Sequence, residues 1–482
     1  MSSDNTGKFV FGSDKAVYLF LILLNTALLF PSLFIPFFGD DFAWLLQSET
    51  FSGQSLYGYI FSPAPFGYFR PVPKLFFYIL SSVANNSAFY FHAVILILHI
   101  TVSVLVFRFA VSLKYSHNTA FISALIFSVL TCHSETLFFI NCINEIFSAV
   151  FILSGLYIFT RKESPLNYLF VLLMFILAML SRESAVCYIP LLILVNLRTK
   201  KLKSLKLIVY SLIPVFVYAA VRIYSEKYFT GSNINLMSDS LDLNPLKALY
   251  KTLHYFVNMI FPVKMIFAIT GYDKLEFLIH AFRRPSENIL VFFLLSFSVS
   301  LVCFSLIFLF IRKLGTEIFF PLLFIFFAIF IYLFSFNTAE RYLYLPSAGL
   351  SILLGLFFDK CKSGFIFRIL LALYLLVHSA SLVIRLYDYK EASYYSQNAV
   401  KVLNEKTNGI SSGSVIYFEN IPPKKNGIYF LSPYNLQPNY DFNFPERKYE
   451  FLFRETISAP DSGRINAVIR FNNERDEFER LR

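Results

Sequence analysis

The chain has 482 residues, of which 56% are hydrophobic, 19% are aromatic and only 15% are charged. Because soluble domains carry about 25% charged residues, this composition excludes an ordinary soluble protein and predicts an integral membrane protein. The net charge of +11 does not indicate nucleic acid, since the basic residues cluster in short loops between apolar runs. The cysteines form neither a disulfide framework nor a paired-cysteine metal motif.

The apolar runs, taken in chain order, predict about eleven membrane spans. The first run ends in Phe-Phe-Gly-Asp and not in a small-residue cleavage site, so we expect it to be retained as a helix. Several runs are shorter than the roughly 20 residues of a full crossing, and their bounds are approximate. The predicted spans lie near residues 16–38, 88–112, 119–133, 136–160, 166–181, 184–198, 205–224, 289–311, 317–336, 342–358 and 364–387.

The loop charges predict the orientation of these spans. With the N-terminus inside, basic residues fall in alternate short loops, as the positive-inside rule requires. An odd number of spans then places the C-terminus on the extracytoplasmic side. The loop residues that carry this pattern are Lys114, Arg161, Lys162, Arg198, Lys200, Lys201, Lys203, Lys206, Arg312, Lys313, Lys360, Lys362 and Arg368.

Residues 250–270 do not fit the simple alternation. They are apolar but interrupted by Lys251, His254 and Lys264. We interpret them as an interfacial helix on the outer surface. If they crossed the membrane instead, the orientation of every later span would be reversed.

The composition becomes polar after residue 387. Residues 388–406 are predicted to form an amphipathic helix, and short alternating runs at 414–418, 427–431, 449–453 and 467–471 are predicted to be strands. The predicted fold is therefore an all-α polytopic membrane domain, 1–387, followed by a small extracytoplasmic α+β domain, 388–482.

Ionisable residues that the positive-inside rule does not explain collect in five short motifs on the outside. Such groups are costly at membrane depth and usually have functional partners. Carboxylates and guanidinium groups on one face are the set needed to bind a phosphate and to deprotonate a hydroxyl. The candidate site residues are Asp40, Asp41, Arg70, His133, Glu135, Arg182, Glu183, Glu340, Arg341 and Tyr342.

Each strong candidate also has a plain structural interpretation. Asp40 and Asp41 can supply a general base, because a low-dielectric interface raises the pKa of a carboxylate, or they can be a solvated capping pair. Arg70 can grip a phosphate with its planar fork, or extend to lipid headgroups. Arg341 can bind phosphate, or simply pair with Glu340.

The turn that holds His133 and Glu135 offers too few ligands for a metal site. We expect it to orient a carboxylate or an acceptor, and a purely structural turn is the alternative. No cofactor is required by the sequence, although the paired carboxylates Asp40 and Asp41 could hold Mg²⁺ or Mn²⁺.

The order of these motifs resembles the GT-C membrane glycosyltransferases. The resemblance is greatest to the protein O-mannosyltransferases with tetratricopeptide tails and their bacterial relatives, and it covers roughly residues 15–390. Its most specific element is Glu-Arg-Tyr-Leu-Tyr-Leu-Pro-Ser-Ala-Gly at 340–349. The others are Asp-Asp at 40–41, Tyr-Phe-Arg-Pro at 68–71, His-x-Glu at 133–135 and Ser-Arg-Glu-Ser-Ala at 181–185.

This resemblance implies a polyprenyl- or dolichyl-phosphate sugar donor, inversion at the anomeric carbon and an extracytoplasmic active site. Asp41 or Asp40 would be the base that activates the acceptor hydroxyl. Glu135 would order the site. The donor phosphate would be bound by Arg70, Arg182 and Arg341.

The chain departs from the family in three respects, and the replaced tail leaves the acceptor open. Leu130 stands where relatives often have a second histidine, and the tetratricopeptide tail is replaced by 388–482. Relatives also often have lysine in place of Arg182. A protein, lipid A, a capsule or an O-antigen therefore all stay candidate acceptors, and a bacterial inner membrane is favoured over the endoplasmic reticulum.

Two other functional classes compete with this interpretation. One is a transporter or flippase of a lipid-linked or polar solute, but such proteins place charges near the bilayer midplane and often have inverted repeats. The other is an O-antigen polymerase or ligase, which would depend on a large late periplasmic loop. The longest outside loop predicted here, about 225–288, is modest.

Overall fold

A computed structural model provides the structure of the chain. The structure describes residues 13–50, 55–199, 209–230, 243–262, 315–335, 338–361, 365–421, 428, 431–432, 434–454, 465–472 and 477–481. The α-helices in this part of the chain are α1 Asp14–Leu29, α2 Asp41–Thr50, α3 Leu56–Phe61, α4 Pro71–Ala84, α5 Ala88–Ser112, α6 His117–Val129, α7 Ser134–Phe138, α8 Ile143–Thr160, α9 Pro165–Ser181, α10 Tyr188–Thr199, α11 Leu212–Thr230, α12 Pro245–Ile260, α13 Phe319–Ile329, α14 Pro346–Lys360, α15 Phe365–Lys406 and α16 Leu436–Asn443.

Five helical segments of the described chain are long and apolar enough to cross a membrane. A sixth is added if α6 and the segment 131–138, which meet at a bend of 52°, form one broken span. Several other predicted spans, including 166–181 and 342–358, correspond to the shorter helices α9 and α14. The predicted span 289–311 lies outside the described residues, so the predicted total of eleven stays a prediction. The five segments are Asp14–Phe34, Ala88–Ser112, Ile140–Thr160, Gly315–Phe334 and Phe365–Lys406.

Helix α15 is longer than predicted. The predicted span 364–387 and the predicted amphipathic helix 388–406 form one helix, α15, of 42 residues. At a rise of about 1.5 Å per residue, a helix of this length extends about twice as far as the roughly 30 Å hydrocarbon core. The predicted domain boundary at residue 387 therefore lies within a continuous helix that carries the chain out of the membrane.

The C-terminal segment forms a small mixed sheet. Its strands are β1 Val415–Phe418, β2 Glu450–Phe453, β3 Ala467–Asn472 and β4 Glu477–Arg480, in the order β2-β1-β3-β4. Strand β1 is parallel to both of its neighbours, and β4 is antiparallel to β3. Three predicted strands are confirmed, the prediction at 427–431 lies mostly outside the described residues, and β4 and α16 were not predicted.

The predicted interfacial helix at 250–270 corresponds in part to α12. Lys251, Tyr255 and Met259 recur every four residues and are all buried, so one face of this helix packs against the bundle. The Nζ of Lys251 donates a hydrogen bond to the carbonyl oxygen of Ser335. Residues 263–270 lie outside the described chain.

One end of the helical bundle is joined by ion pairs near the basic loops. Arg108 at the end of α5 pairs with Asp14 at the start of α1 over 2.9 Å. Lys360 at the end of α14 pairs with Glu317 over 3.0 Å. Arg198, at the end of α10, lies over the ring of a tyrosine in the α5–α6 loop. The candidate site residues follow or precede the opposite ends of these helices.

Tight helix packing connects the two ends. Helices α6 and α14 approach so closely that a Cβ on Gly355 would lie 2.7 Å from the carbonyl oxygen of Thr119 and 2.2 Å from Oγ of Ser123. Only glycine allows this approach. This contact fixes α14, and with it the 340–349 motif that precedes and begins this helix, against α6 and the turn at 131–135.

Candidate active site

The two adjacent aspartates occupy different environments. The chain turns at Gly39, which has a φ of 55°, and α2 begins at Asp41. Asp41 is fully buried: its Oδ2 accepts the N–H of Phe38 over 3.2 Å and its Oδ1 accepts the N–H of Asn141 over 2.8 Å. Burial raises the pKa of Asp41 well above the usual range, and these two bonds oppose that rise. Asp41 therefore joins two loops, and its burial leaves it no surface that a substrate can contact.

Replacing Asp41 by asparagine is expected to lower stability. An amide presents one acceptor oxygen, so one of the two buried N–H groups, that of Phe38 or of Asn141, loses its partner. Leaving a buried donor unsatisfied costs about 1–3 kcal/mol. The measurement is the melting temperature of the detergent-solubilised variant beside that of Glu405→Gln, which changes an exposed carboxylate on α15. An unchanged melting temperature for both variants would contradict this structural role.

Asp40 is only half-buried. Its Oδ1 accepts the side-chain amide of Asn435 over 3.0 Å and its Oδ2 accepts that of Asn141 over 3.4 Å. Burial raises the pKa of Asp40, the Asn435 bond and Arg341 lower it, and Glu135 raises it. Of the two predicted bases, Asp40 is thus the carboxylate with access to a substrate.

Arg341 and Glu135 join the 340–343 turn to the first turn of α7. Nη1 of Arg341 pairs with Oε1 of Glu135 at 2.5 Å, and the backbone N–H of Arg341 donates to Oε2 over 2.9 Å. Ser134 donates to Glu340 over 3.0 Å. The Arg341 side chain is 31% exposed, more than the side chains of the other two candidate arginines. The alternative in which Arg341 pairs with Glu340 is therefore not the arrangement found; the partner is Glu135.

Arg182 is held inside a cage of aromatic and acidic side chains. It forms a 2.7 Å ion pair with Glu145 in the first turn of α8. Its guanidinium lies 5.5 Å and 5.3 Å from the ring centres of Tyr332 and Tyr342, which stack on each other at 4.3 Å. The hydroxyl of Tyr332 donates to Glu145 over 3.3 Å. The predicted site residue Tyr342 thus fixes a cation in place.

Arg70 precedes α4 and carries a donor without a partner. It pairs with Glu183 over 3.3 Å, and its guanidinium lies 4.0 Å from the ring centre of Tyr68. Its Nε is buried and donates to no other atom of the described residues. A buried donor left over in this way has a place for one more acceptor, such as a phosphate oxygen.

His133 is placed away from these groups. It is fully buried, and its Nε2 lies 2.7 Å from the hydroxyl of Ser347. Its ring packs against Phe127 and Tyr344, with ring centres 4.6 Å and 4.8 Å apart. In this arrangement His133 supports the turn from inside. The sequence predicted that His133 would contact a substrate, but the buried side chain has no surface with which to do so.

Together the candidate groups form one electrostatic cluster. Glu145 interacts with Arg70, Arg182 and Arg341. Asp40 interacts with Arg341 and with Glu135, the partner of Arg341. The structure thus brings together predicted residues from all five motifs. Sequence reasoning missed four members of the site: Asn141, Glu145, Tyr332 and Asn435. Of these, Glu145 gave a usable signal, because a carboxylate inside an apolar run is costly unless it has a partner.

The ligands for a resident metal are few. Within the described residues, no group of three or more His, Cys, Asp or Glu side chains has the arrangement of a metal site. Of the predicted Asp-Asp pair, Asp41 is fully buried and Asp40 is half-buried, so Asp40 is the more accessible carboxylate. The predicted option of Mg²⁺ or Mn²⁺ at this pair stays a prediction.

Comparison with known proteins gives one curated relative in sequence. A protein O-mannosyl-transferase of Caenorhabditis elegans is 25% identical over 334 residues, which is 68% of this chain. The match spans 47% of that relative, so this chain corresponds to about half of its length. No family model matches the chain.

The fold has counterparts among solved structures. ArnT from Cupriavidus metallidurans, solved with bound undecaprenyl phosphate, superimposes with a TM-score of 0.52 over 96% of this chain and 93% of its own, at 9% identity. The archaeal oligosaccharyltransferase AglB from Archaeoglobus fulgidus gives a TM-score of 0.49 over 95% of this chain and 69% of its own, at 11% identity. The sequence likeness to an O-mannosyl-transferase and the fold shared with ArnT confirm the resemblance of this chain to the GT-C superfamily of membrane glycosyltransferases.

Proposed function

We propose that this chain is a glycosyltransferase that moves a sugar from a polyprenyl-phosphate donor to an acceptor hydroxyl, with inversion, on the extracytoplasmic side of a membrane. One observation carries the proposal: the half-buried carboxylate of Asp40 interacts electrostatically with the partly exposed guanidinium of Arg341. A base and an anion-binding group thus lie in one cluster. The curated relative supports mannose as the sugar, and the lipid bound by ArnT supports a polyprenyl phosphate.

The chemistry follows from the charges. In an inverting displacement, the carboxylate of Asp40 takes the proton of the acceptor hydroxyl while the oxygen of that hydroxyl attacks the anomeric carbon. The lipid phosphate leaves from the opposite face with the bonding electron pair. Because this leaving group is already a stabilised anion, cations that bind it assist more than a general acid would. Arg341, and the unpartnered Nε of Arg70, are suited to that task.

The acidic partners of the arginines have a separate role. Arg70, Arg182 and Arg341 each contact one carboxylate, on Glu183, Glu145 or Glu135. These contacts fix the guanidinium planes before a substrate arrives, and each guanidinium has five N–H donors, of which a carboxylate uses at most two. We infer that the remaining donors bind the donor phosphate. The acceptor, whether protein, glycan or lipid, binds on the side of Asp40.

The assay for this function is transfer of labelled sugar. Membranes that contain the expressed protein and an acceptor fraction from the source cell are incubated with polyprenyl-phosphate mannose radiolabelled in the sugar. We expect label in a product distinct from the polyprenyl-phosphate donor with the wild type and with Asp14→Asn, a carboxylate variant at the opposite end of the bundle. Absence of transfer from mannosyl, glucosyl and aminosugar donors alike would reject the proposal.

The proposed side of the membrane is tested by protease protection. The proposal places the C-terminal segment and the candidate site outside the cytoplasm, because α15 carries the chain away from the basic-loop end of the bundle. A peptide tag fused after residue 482 is therefore expected to be cut in intact spheroplasts. A tag protected until the membrane is permeabilised would place the site in the cytoplasm and overturn the assignment.

A further inference from the structure

The side chain of Asn435, in the C-terminal segment, contacts the candidate base. Asn435 is 3% exposed, and its Nδ2 donates to Oδ1 of Asp40 over 3.0 Å. The other oxygen of Asp40 accepts from Nδ2 of Asn141 over 3.4 Å. Two amides from distant parts of the chain therefore hold this carboxylate, one on each oxygen.

The orientation of the Asn435 amide is determined by its second partner. Amide oxygen and nitrogen atoms are distinguished by the groups that they contact. The backbone N–H of Ser432 lies 2.7 Å from Oδ1 of Asn435 and can only donate. The NH₂ group must therefore be the one that faces Asp40, where it meets an acceptor.

The position of Asn435 in its own helix is also informative. It is the N-cap residue of α16, a position at which an asparagine side chain usually accepts an N–H of the first helical turn. In this helix the side chain makes no such bond. A residue that served only to begin the helix would cap it, whereas the Asn435 side chain instead bridges Ser432 and Asp40.

Helix α16 is fixed on both sides. The ring of Phe442 packs on that of Phe42, the residue after Asp41, with ring centres 5.4 Å apart. On the other side, Asn439 donates to Oγ of Ser396 in α15 over 3.3 Å. The amide that contacts Asp40 is thus held by packing against the site and against the long helix.

We propose that Asn435 is a positioning residue of the active site, which orients the carboxylate of Asp40 and keeps it ready to accept a proton. The inference deepens the proposed function and rests on it, since it takes Asp40 as the base. It follows that the C-terminal segment completes the active site, although the sequence motifs that carry the family resemblance all lie before residue 350.

The expected effect is on the pH dependence of transfer. The charged groups that act on Asp40 are Arg341, which lowers its pKa, and Glu135, which raises it; Asp41 is adjacent. The donated bond from Asn435 lowers the pKa against the rise caused by burial. A base must be deprotonated to act, so activity falls as the pH drops through the pKa of Asp40. Loss of the Asn435 bond raises that pKa and moves this acid limb to higher pH.

The test measures transfer from polyprenyl-phosphate mannose as a function of pH for the full-length protein. Asn435→Ala is expected to move the acid limb upward by about one pH unit, the equivalent of one hydrogen bond to a charged group. Asn435→Asp, which is isosteric, places a like charge beside Asp40 and is expected to move it further. The matched control is Asn443→Ala in α16, whose side-chain amide, within the described residues, donates only to Asn439. The pH profile of this variant should equal that of the wild type.

Two results would overturn the inference. The first is an acid limb that stays in place in both Asn435 variants while their elution from a sizing column and melting temperatures match the wild type. The second is a rate that falls by one factor at every pH, which would indicate a structural role alone. If Asn435→Ala does not fold, Asn435→Asp decides the question. Failure of the proposed function is distinct, since the wild type would then transfer no sugar at any pH.

Discussion

Asp40→Asn is expected to lower the rate of sugar transfer about a thousandfold, within the range of 10²–10⁴ that a positioned general base contributes. The amide cannot take the acceptor proton. Its one oxygen can still accept from Asn435, and the Asn141 side chain, which makes the longer bond of 3.4 Å, can turn its own oxygen toward the new NH₂ group, so the fold should survive. The rate is measured with saturating donor, and a melting temperature close to that of the wild type verifies folding.

The contrast with Asp41 sharpens this prediction. Asp41→Asn should lose stability, because it leaves a buried backbone N–H unsatisfied, and whatever protein remains folded should still transfer sugar. Asp40→Asn should keep its stability and lose sugar transfer. If Asp41→Asn were stable and inactive while Asp40→Asn kept full activity, the base would have to be reassigned to Asp41.

Arg341→Met is expected to weaken binding of the lipid phosphate by about 10–100-fold. A hydrogen bond to a charged group contributes about 1.5–3 kcal/mol, and each 1.4 kcal/mol corresponds to a factor of ten. The measurement is the affinity of the detergent-solubilised protein for undecaprenyl phosphate. Arg341→Lys should recover only part of the loss, since an ammonium group keeps the charge without the planar fork.

A second substitution separates phosphate binding from simple ion pairing. Glu135→Gln removes the charge that pairs with Arg341 but keeps an oxygen that can accept its N–H groups. If Arg341 binds phosphate, this variant should retain the affinity of the wild type within about threefold, a small change on the same scale. If Arg341→Met and Glu135→Gln weaken binding equally, Arg341 acts only through its pair with Glu135, and the phosphate assignment fails.

Apolar run length predicted much of the helical scaffold. The run at 88–112 was predicted with the bounds that α5 has, because both of its ends carry polar signals. The division of α15 into a span and a separate amphipathic helix was wrong. Hydropathy falls after residue 387, but a change of polarity does not break a helix when the 3.6-residue period continues without a glycine or proline.

The clustering of the site could be predicted from charge, but its pairings could not. Ionisable residues at span ends need partners, and this argument selected Arg70, Arg182 and Arg341. Which carboxylate each arginine meets depends on the rotation and tilt of the helices, which hydropathy does not encode. Glu145, the partner of Arg182, was overlooked because it lies one helical turn inside an apolar run and not in a loop.

The contribution of the C-terminal segment was the least predictable part. Asn435 lies 395 positions from Asp40 in a stretch of Asn, Pro and Tyr residues, where one asparagine looks like another. Helix α16, which begins directly after Asn435, has eight residues and includes a proline. Its apolar pattern is therefore too short to indicate a helix. Only the three-dimensional fold shows that this stretch returns to α2.

The most direct test is mass spectrometry of glycolipids and glycoproteins from cells that lack the gene, complemented with the wild type or with Asp40→Asn. If Asp40 is the base for sugar transfer, at least one glycan-bearing molecule should lose the mass of one sugar in the deletion strain. That mass should return with the wild type and stay absent with an equally abundant Asp40→Asn. Glycan masses that are identical in all three strains, or restored by Asp40→Asn, would contradict the account.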